Sequence, residues 1–421
     1  MSTTHSPKII LSAYQCGPGM GSVSQIGWEW YSRLRKLTPT TLVTHIRNRE
    51  ALENHGVSSS TGEVVYIDTE WFAGPLYRLA KWLFPRSEHA VFLLSSLDFY
   101  VYDRQATRIL KKRMRAGESW DVVQSVTPVS PIAATTLHQL GLPIVIGPLN
   151  GGLGNPSNFP ELMAADSGWF YRVRDLGRLI DWWNGSSRNA DIILTATQAT
   201  RDYILPKWKS KCVPMLENGV ELTRFCPTPW PDAPSAIHPL KILFVGRLIP
   251  VKGIPMLLRA VAGIRHEFPI EVTVVGDGPM AQDWQHQAQA LELSKIVTFT
   301  GNLSLDQVAV EMRKAHIFCL PSIRESGGAV LLEAMASQRP IVAVAFGGPA
   351  EIVDDQVGAA IEPRGTEFVV SELQRIFRDV VANPAHWQRR GEVGLERARE
   401  RYGWDAKIQS ALRLYHQLLA K

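Results

Sequence analysis

The sequence predicts an α/β chain of two parallel-sheet halves, and three observations predict it. Short runs rich in Val and Ile recur with helix-length segments between them, a proline-rich stretch interrupts the rhythm after Cys226, and the rhythm then restarts. The chain has 421 residues, which at roughly 100 to 200 residues per domain makes two or three compact units. Hydrophobic residues are 45% and charged residues 20% of it, an ordinary globular composition that excludes a disordered or collagen-like chain.

The first half places strands at Lys8 to Tyr14, Leu42 to Ile46, Val64 to Asp68, Asp121 to Val126, Pro143 to Gly147 and Asp191 to Thr197. Each is short, apolar and rich in β-branched residues, as a strand covered on both faces must be. From Cys226 to Pro239 the chain carries five prolines, which neither a helix interior nor a central strand accepts. A domain boundary is expected there. The second half repeats the pattern at Lys241 to Gly246, Glu271 to Gly276, Ile296 to Gly301, His316 to Pro321 and Pro340 to Ala345, mostly ending in the Gly or Pro of a tight strand-to-helix turn. Ile254, Leu257, Leu258 and Val261 fall at helical spacing behind Pro255, which suits the first helical turn. Residues 404–420 read as an amphipathic helix with Ile408, Leu412, Tyr415 and Leu419 on one face. The expected organisation is a Rossmann-like, acceptor-binding half over 1–225, a linker over 226–239, and a Rossmann-like, nucleotide-binding half over 240–400. A C-terminal helix over 401–421 is expected to pack back on the first half. Two such halves on a hinge imply a central cleft, with ligands at the carboxyl ends of the strands.

Lys plus Arg number 45 against 40 for Asp plus Glu, and a surplus of +5 over this length does not mark a nucleic-acid binder. Cys16, Cys212, Cys226 and Cys319 form no CxxC pair and read as reduced cytosolic thiols. The polar start runs directly into the first strand without a leader-like apolar stretch, and the apolar segment from Ala90 to Tyr102 is interrupted by Ser95, Ser96 and Asp98. A cytoplasmic chain that does not cross a membrane is expected.

Two motifs carry chemistry. In Pro321-Ser-Ile-Arg-Glu325-Ser-Gly-Gly-Ala-Val-Leu-Leu-Glu333 a glycine pair stands between a strand and an Ala-rich helical run. It aims the backbone N–H groups of Gly327, Gly328, Ala329 and Val330 at a bound anion. Either carboxylate alone would read as a helix cap; with the glycines, one suits sugar hydroxyls beside a phosphate and the other a ribose. In Gly246-Arg247-Leu-Ile-Pro-Val-Lys252-Gly253 two cations stand at a strand end with little acidic compensation. Arg supplies a planar fork and Lys a compact charge, as a departing diphosphate requires.

With these residues in view the chain resembles the family 4 retaining glycosyltransferases of the two-Rossmann-domain (GT-B) type, the glycosyl transferases group 1. The matching stretches are 246–253, Val275-Gly-Asp-Gly-Pro279, Glu325-x7-Glu333, Phe346-Gly-Gly-Pro-Ala-Glu351 and Glu217-Asn-Gly-Val-Glu-Leu-Thr-Arg-Phe225, with weaker likeness at Gly17-Pro-Gly-Met-Gly21 and Gly147-Pro-Leu-Asn-Gly-Gly152. The resemblance implies a retaining hexosyltransferase with no cofactor beyond its nucleotide-sugar substrate, and because the sequence shows no Asp-x-Asp triplet a metal ion is expected to be unnecessary. It implies that Gly21 approaches the donor diphosphate, Arg247 and Lys252 bind phosphate, Glu325 holds the donor sugar and Glu333 the ribose, with Asn150 and Gly151 on the acceptor side. Three positions depart from the family: Met20 separates Gly19 from Gly21, Glu325-Ser-Gly-Gly replaces the usual Glu-x-Phe-Gly, and Gln124-Ser125 and Asn150-Gly151 stand where many members carry a His. His138 reads as structural. Asp354-Asp355 reads as an exposed turn.

The implied acceptor is a carbohydrate or a lipid-linked hydroxyl in polysaccharide or glycolipid assembly. Three stretches bear on a peripheral membrane contact: the amphipathic run from Trp71 to Phe84, the basic cluster Lys111-Lys-Arg-Met-Arg115, and Trp169 to Trp183 with Arg172, Arg174 and Arg178. For the first, packing on its own sheet is the favoured expectation. A nucleotide-sugar epimerase and a catalytically silent sugar-nucleotide binder are the rival readings.

Overall fold

The computed structural model describes residues 6–57, 62–85, 91, 94–154, 156–160 and 174–420. Part of the Trp169 to Trp183 stretch, including Arg172, lies outside the described residues.

The first seven strands, β1 (Ile9–Ala13), β2 (Thr40–His45), β3 (Val64–Ile67), β4 (Val122–Thr127), β5 (Ile144–Leu149), β6 (Ile192–Thr195) and β7 (Cys212–Pro214), form one sheet in the order β3-β2-β1-β4-β5-β6-β7. Every pairing is parallel, with Ile9 opposite Thr40 on one side and Val122 on the other. All five residues of β1 are buried, because helices cover both faces of such a sheet. The remaining strands, β8 (Leu240–Val245), β9 (Ile270–Val275), β10 (Val297–Gly301), β11 (Ile317–Leu320), β12 (Ile341–Val344) and β13 (Gly358–Ile361), pair in parallel in the order β10-β9-β8-β11-β12-β13. In each sheet the order reverses beside its first strand, between β1 and β4 and between β8 and β11. Loops diverge at such a reversal and leave room for a ligand. The two-sheet α/β class expected from the sequence is the class found.

The described residues fall into two compact units. One takes in Met1–Gly152, Tyr171–Glu217 and Ile408–Lys421, and the other Leu153–Phe170 and Asn218–Lys407. The division therefore precedes the prolines, and the 226–239 segment is fastened within the second unit rather than hanging as a linker. Arg339 is fully buried and donates to the carbonyls of Thr228, Pro229, Met312 and Arg313 and to Thr228 Oγ1, at 2.7 to 3.4 Å. Burial lowers its pKa to about 10. Trp230 donates its indole N–H to the His316 carbonyl at 2.9 Å, and the His316 ring accepts Lys241 N–H at Nδ1 while its Nε2 lies 2.9 Å from the Asp232 carbonyl. Only a neutral imidazole can accept and donate in this way, and burial keeps it neutral by pushing its pKa down to about 4.

The C-terminal helix, Trp404–Leu419, buries Ile408, Ala411 and Tyr415 and leaves Leu419 exposed. Its last turns belong to the first unit, where Tyr415 Oη donates to Gln124 Oε1 at 3.0 Å.

Candidate active site

The second unit assembles its site from loops at the β8–β11 reversal. After β8 the chain passes Gly246 and Arg247 and makes a 3-10 turn at Pro250–Lys252. It then turns through Gly253 into the Ile254–Ile264 helix, whose Ile254, Leu257, Leu258 and Val261 are buried as their spacing predicts. Gly253 adopts φ +68°, and a Cβ there would stand 2.2 Å from the Pro321 carbonyl oxygen, so this residue must be glycine for the two loops to touch. Ile323 N–H bonds the Val251 carbonyl at 2.9 Å, which lays the loop after β11 directly on the turn that carries Lys252.

Glu325 is fixed from its other side as well. Its carbonyl accepts Gly348 N–H at 2.9 Å, and it bridges Gly347 like a strand residue. Between these clamps the Lys252 ammonium and the Glu325 carboxylate form an ion pair, each side chain 16% exposed. The two sequence motifs, read separately, converge on one contact. Gly246 lies beside the Lys252 stem, where an added Cβ would be 3.8 Å from Cε. Arg247 is exposed, and its side chain forms no hydrogen bond or ion pair among the described residues.

Gly327 and Gly328 are buried, and Gly328, at φ +59°, opens the Ala329–Ala336 helix. No side chain caps that end and its first turn holds no acid, so the N–H groups of Ala329 and Val330 keep their positive field for an outside acceptor. One turn in, Glu333 is half-buried, and burial pushes its pKa up to about 7 against an opposing pull from Arg224. Arg224 is itself paired with Asp306 at 2.9 Å. It stands in the 217–225 stretch, and the acids it serves, Asp306 and Glu333, come from other elements, so the stretch by itself does not reveal its role.

In the first unit the candidates are dispersed. Gly21 caps the Ser22–Leu37 helix at φ +107°, exposed and with open space where a Cβ would be. Asn150, just after β5, donates Nδ2–H to the buried Glu217 at 2.6 Å. The Gly151 N–H is taken by Thr200 Oγ1 at 3.0 Å, and Thr200 returns a bond to the Gly151 carbonyl at 2.9 Å. His138 lies in a 3-10 turn over Leu137–Leu140, near the Thr135 carbonyl.

A buried polar network that no sequence motif marks lies at the ends of β1 to β3. His45 Nδ1 accepts Arg47 N–H at 3.1 Å, which leaves the proton of the neutral ring on Nε2, 2.8 Å from Thr69 Oγ1. Thr69 and Tyr14 both donate to Asp98, at 2.6 and 2.7 Å. Burial lowers the His45 pKa and raises that of Tyr14. The available signal was positional: Tyr14 and His45 are polar residues at carboxyl ends of strands. Among the described residues no group of three or more His, Cys, Asp or Glu could hold a metal ion.

Residues 234–392 match the family model of glycosyl transferases group 1. That span contains every second-unit site residue from Gly246 to Glu333, while Gly21, Asn150, Gly151 and Arg224 lie outside it. Glycogen synthase of Mycobacterium tuberculosis is 28% identical over 235 residues, 54% of this chain and 54% of that one. A D-inositol 3-phosphate glycosyltransferase of Kineococcus radiotolerans is 30% identical over 254 residues, 54% of this chain and 57% of that one. The chain thus spans about half the length of the curated relatives it matches. Among solved structures, HepE of Anabaena in complex with UDP superposes with a TM-score of 0.64 at 16% identity, covering 97% of this chain and 100% of that one. Sucrose-phosphate synthase of Thermosynechococcus elongatus gives 0.63 at 19%, covering 98% and 99%. These likenesses show the fold, two parallel-sheet α/β domains of the GT-B type.

Proposed function

We propose that the chain is a retaining, metal-independent glycosyltransferase that moves a hexosyl group from a nucleoside-diphosphate sugar to a hydroxyl of a carbohydrate or lipid-linked acceptor. The observation that carries this reading is the Lys252–Glu325 pair at the sheet reversal, flanked by the uncapped N-terminus at Ala329 and by Arg247, which is unpaired among the described residues. A cation pair and free backbone N–H groups suit a diphosphate, and a fixed carboxylate beside them suits the hydroxyls of the sugar it carries.

On this reading the bond from the anomeric carbon to the diphosphate oxygen breaks while the acceptor oxygen bonds the same face. The acceptor proton passes to the departing phosphate oxygen. Lys252, Arg247 and the N–H groups of Ala329 and Val330 hold the charge that grows on that oxygen, the work a metal ion would otherwise do. Glu333 accepts the ribose hydroxyls, and no cofactor beyond the donor takes part. Polysaccharide or glycolipid assembly at the cytoplasmic face of a membrane is the setting we assign.

The test is release of nucleoside diphosphate from a panel of uridine, guanosine and adenosine diphosphate sugars, with and without a membrane-lipid extract. Release from one donor that rises with the extract is expected. Isomerised donor without release would replace the reading with an epimerase, and tight binding without turnover would replace it with a silent sugar-nucleotide binder.

A further inference from the structure

Two neighbouring helices of the first unit carry unusual residues outward. The Glu70–Leu83 helix packs through Ala73 and Ala80, and at about 100° per residue the ridge opposite them is Trp71, Pro75, Arg78 and Trp82. Trp71 and Trp82 are 69% and 77% exposed, and Tyr77, Leu79 and Leu83 beside them are nearly half exposed. The favoured expectation from sequence, a helix that hides its large apolar residues on its own sheet, is therefore reversed: the small residues face inward. Single exposed apolar residues are commonplace, but this many on one helix mark a surface that meets something apolar.

The Asp98–Arg115 helix packs against it. Phe99, Tyr102, Ala106 and Leu110 are buried, which turns Arg104, Arg108, Lys112 and Arg115 to the solvent face. The helix's two acids, Asp98 and Asp103, are buried and bonded to Tyr14, Thr69, Thr135 and Thr136; Asp103 also attracts Arg104 from beneath, but the helix places no exposed carboxylate on that stripe. Of its other cations, Arg113 is paired with Glu118 and Lys111 bonds Gln139. Exposed indoles on one helix and solvent-facing cations on the helix packed against it complement the two layers of an anionic lipid leaflet, the indoles at its interface and the cations at its headgroups.

We propose that these two helices dock the protein on an anionic bilayer surface. The proposal rests on the transferase reading for its purpose, since it brings the protein to a lipid-borne acceptor, but it is tested by binding without turnover. A failure of docking and a failure of transfer are thus read separately.

The experiment is co-sedimentation of the full chain with vesicles of phosphatidylcholine alone or with about 30 mole per cent phosphatidylglycerol, across ionic strength. Binding to the anionic vesicles only, lost at high salt, is expected. A surface cation contributes about five-fold to such partitioning, so R104A/R108A should weaken it by about ten-fold or more. W71S/W82S should weaken it comparably at every salt concentration and abolish the blue shift of tryptophan emission on binding. All four positions are exposed, and unchanged nucleotide binding by both variants shows that the fold is kept. Equal binding to neutral vesicles, no binding to either, or indifference to both variants overturns the proposal. So does a dimer in solution that the tryptophan variant dissociates, because the face would then belong to a second copy.

Discussion

Replacing Glu333 by Gln separates what this carboxyl costs the fold from what it would do for a nucleotide. Burial raises its pKa from the ordinary 4.5 to about 7. Between those values the folded protein keeps a proton that the unfolded chain has released, so stability falls as pH rises from about 4.5 to about 7 and levels off beyond. Each pH unit of that linkage is about 1.4 kcal/mol, so the whole interval comes to roughly 3 kcal/mol, an upper value because the side chain is partly exposed. Gln has the same shape and no charge to desolvate. E333Q should match the native protein at pH 4 and exceed it at pH 8 by up to roughly 3 kcal/mol in urea unfolding. Nucleotide affinity should move the other way. A ribose diol donates to the ionised carboxylate, so affinity of the native protein should fall about ten-fold per unit as pH drops below 7, whereas E333Q binds weakly and without that slope. A variant whose stability parallels the native protein at every pH would falsify the desolvation argument. One that binds nucleotide as tightly as the native protein would remove the ribose role while leaving the desolvation argument intact.

Lys252→Ala and Arg247→Ala should each cut kcat about 100-fold or more while loosening free nucleoside diphosphate only a few-fold, measured by steady-state kinetics beside calorimetry; equal losses would mean simple ground-state binding. Gly253→Ala forces a side chain into φ +68° and against the Pro321 carbonyl, which should cost about 1 to 3 kcal/mol in urea unfolding. An unshifted midpoint would show that the β8 and β11 loops part freely. Arg339→Met strands the carbonyls of Met312, Arg313, Thr228 and Pro229 and should cost about 2 to 4 kcal/mol. Cleavage within 226–239 should quicken under limited proteolysis, and an unchanged rate would place the hold on that segment elsewhere.

The interior strands were legible because each is a β-branched run ending in a turn signal, as Lys241 to Gly246 shows. Two edge strands were not. Cys212–Pro214 is three residues long and only partly covered, and Gly358–Ile361 is Gly-Ala-Ala-Ile, with little to distinguish it from a turn. The prolines at 227–239 were correctly barred from helix and strand, but that exclusion says nothing about where such a segment lies, and a buried Arg339 over a hundred residues later holds it down. In the candidate site the residue types were readable and their pairing was not. Lys252 and Glu325 sit in motifs 73 residues apart, and only the strand order, which sets β11 next to β8, brings them together. The Glu333 shift depends on how much water reaches one carboxyl, a quantity no motif encodes.

The ion pair and the lone arginine divide the work of the proposed site in time. Lys252 and Glu325 neutralise each other and are held by loops that bond one another through Ile323, Val251 and Gly348, so neither must surrender much side-chain freedom when a ligand arrives. On the proposed reading a diphosphate would replace the carboxylate as the ammonium's partner, and a sugar that donates its hydroxyls would replace the ammonium as the carboxylate's. The exchange leaves no buried charge unpaired, and it favours a ligand carrying both groups over one carrying phosphate alone, because free diphosphate would leave Glu325 without a donor. Among the described residues Arg247 has no such partner to leave. Its ordering is a cost met only when enough negative charge has gathered to repay it, which is greatest as the glycosyl bond breaks. On that reading both cations would meet the charge that grows on the leaving oxygen, Lys252 from a place already fixed by its pair and Arg247 by ordering as the charge appears, so that binding is strongest at the transition state.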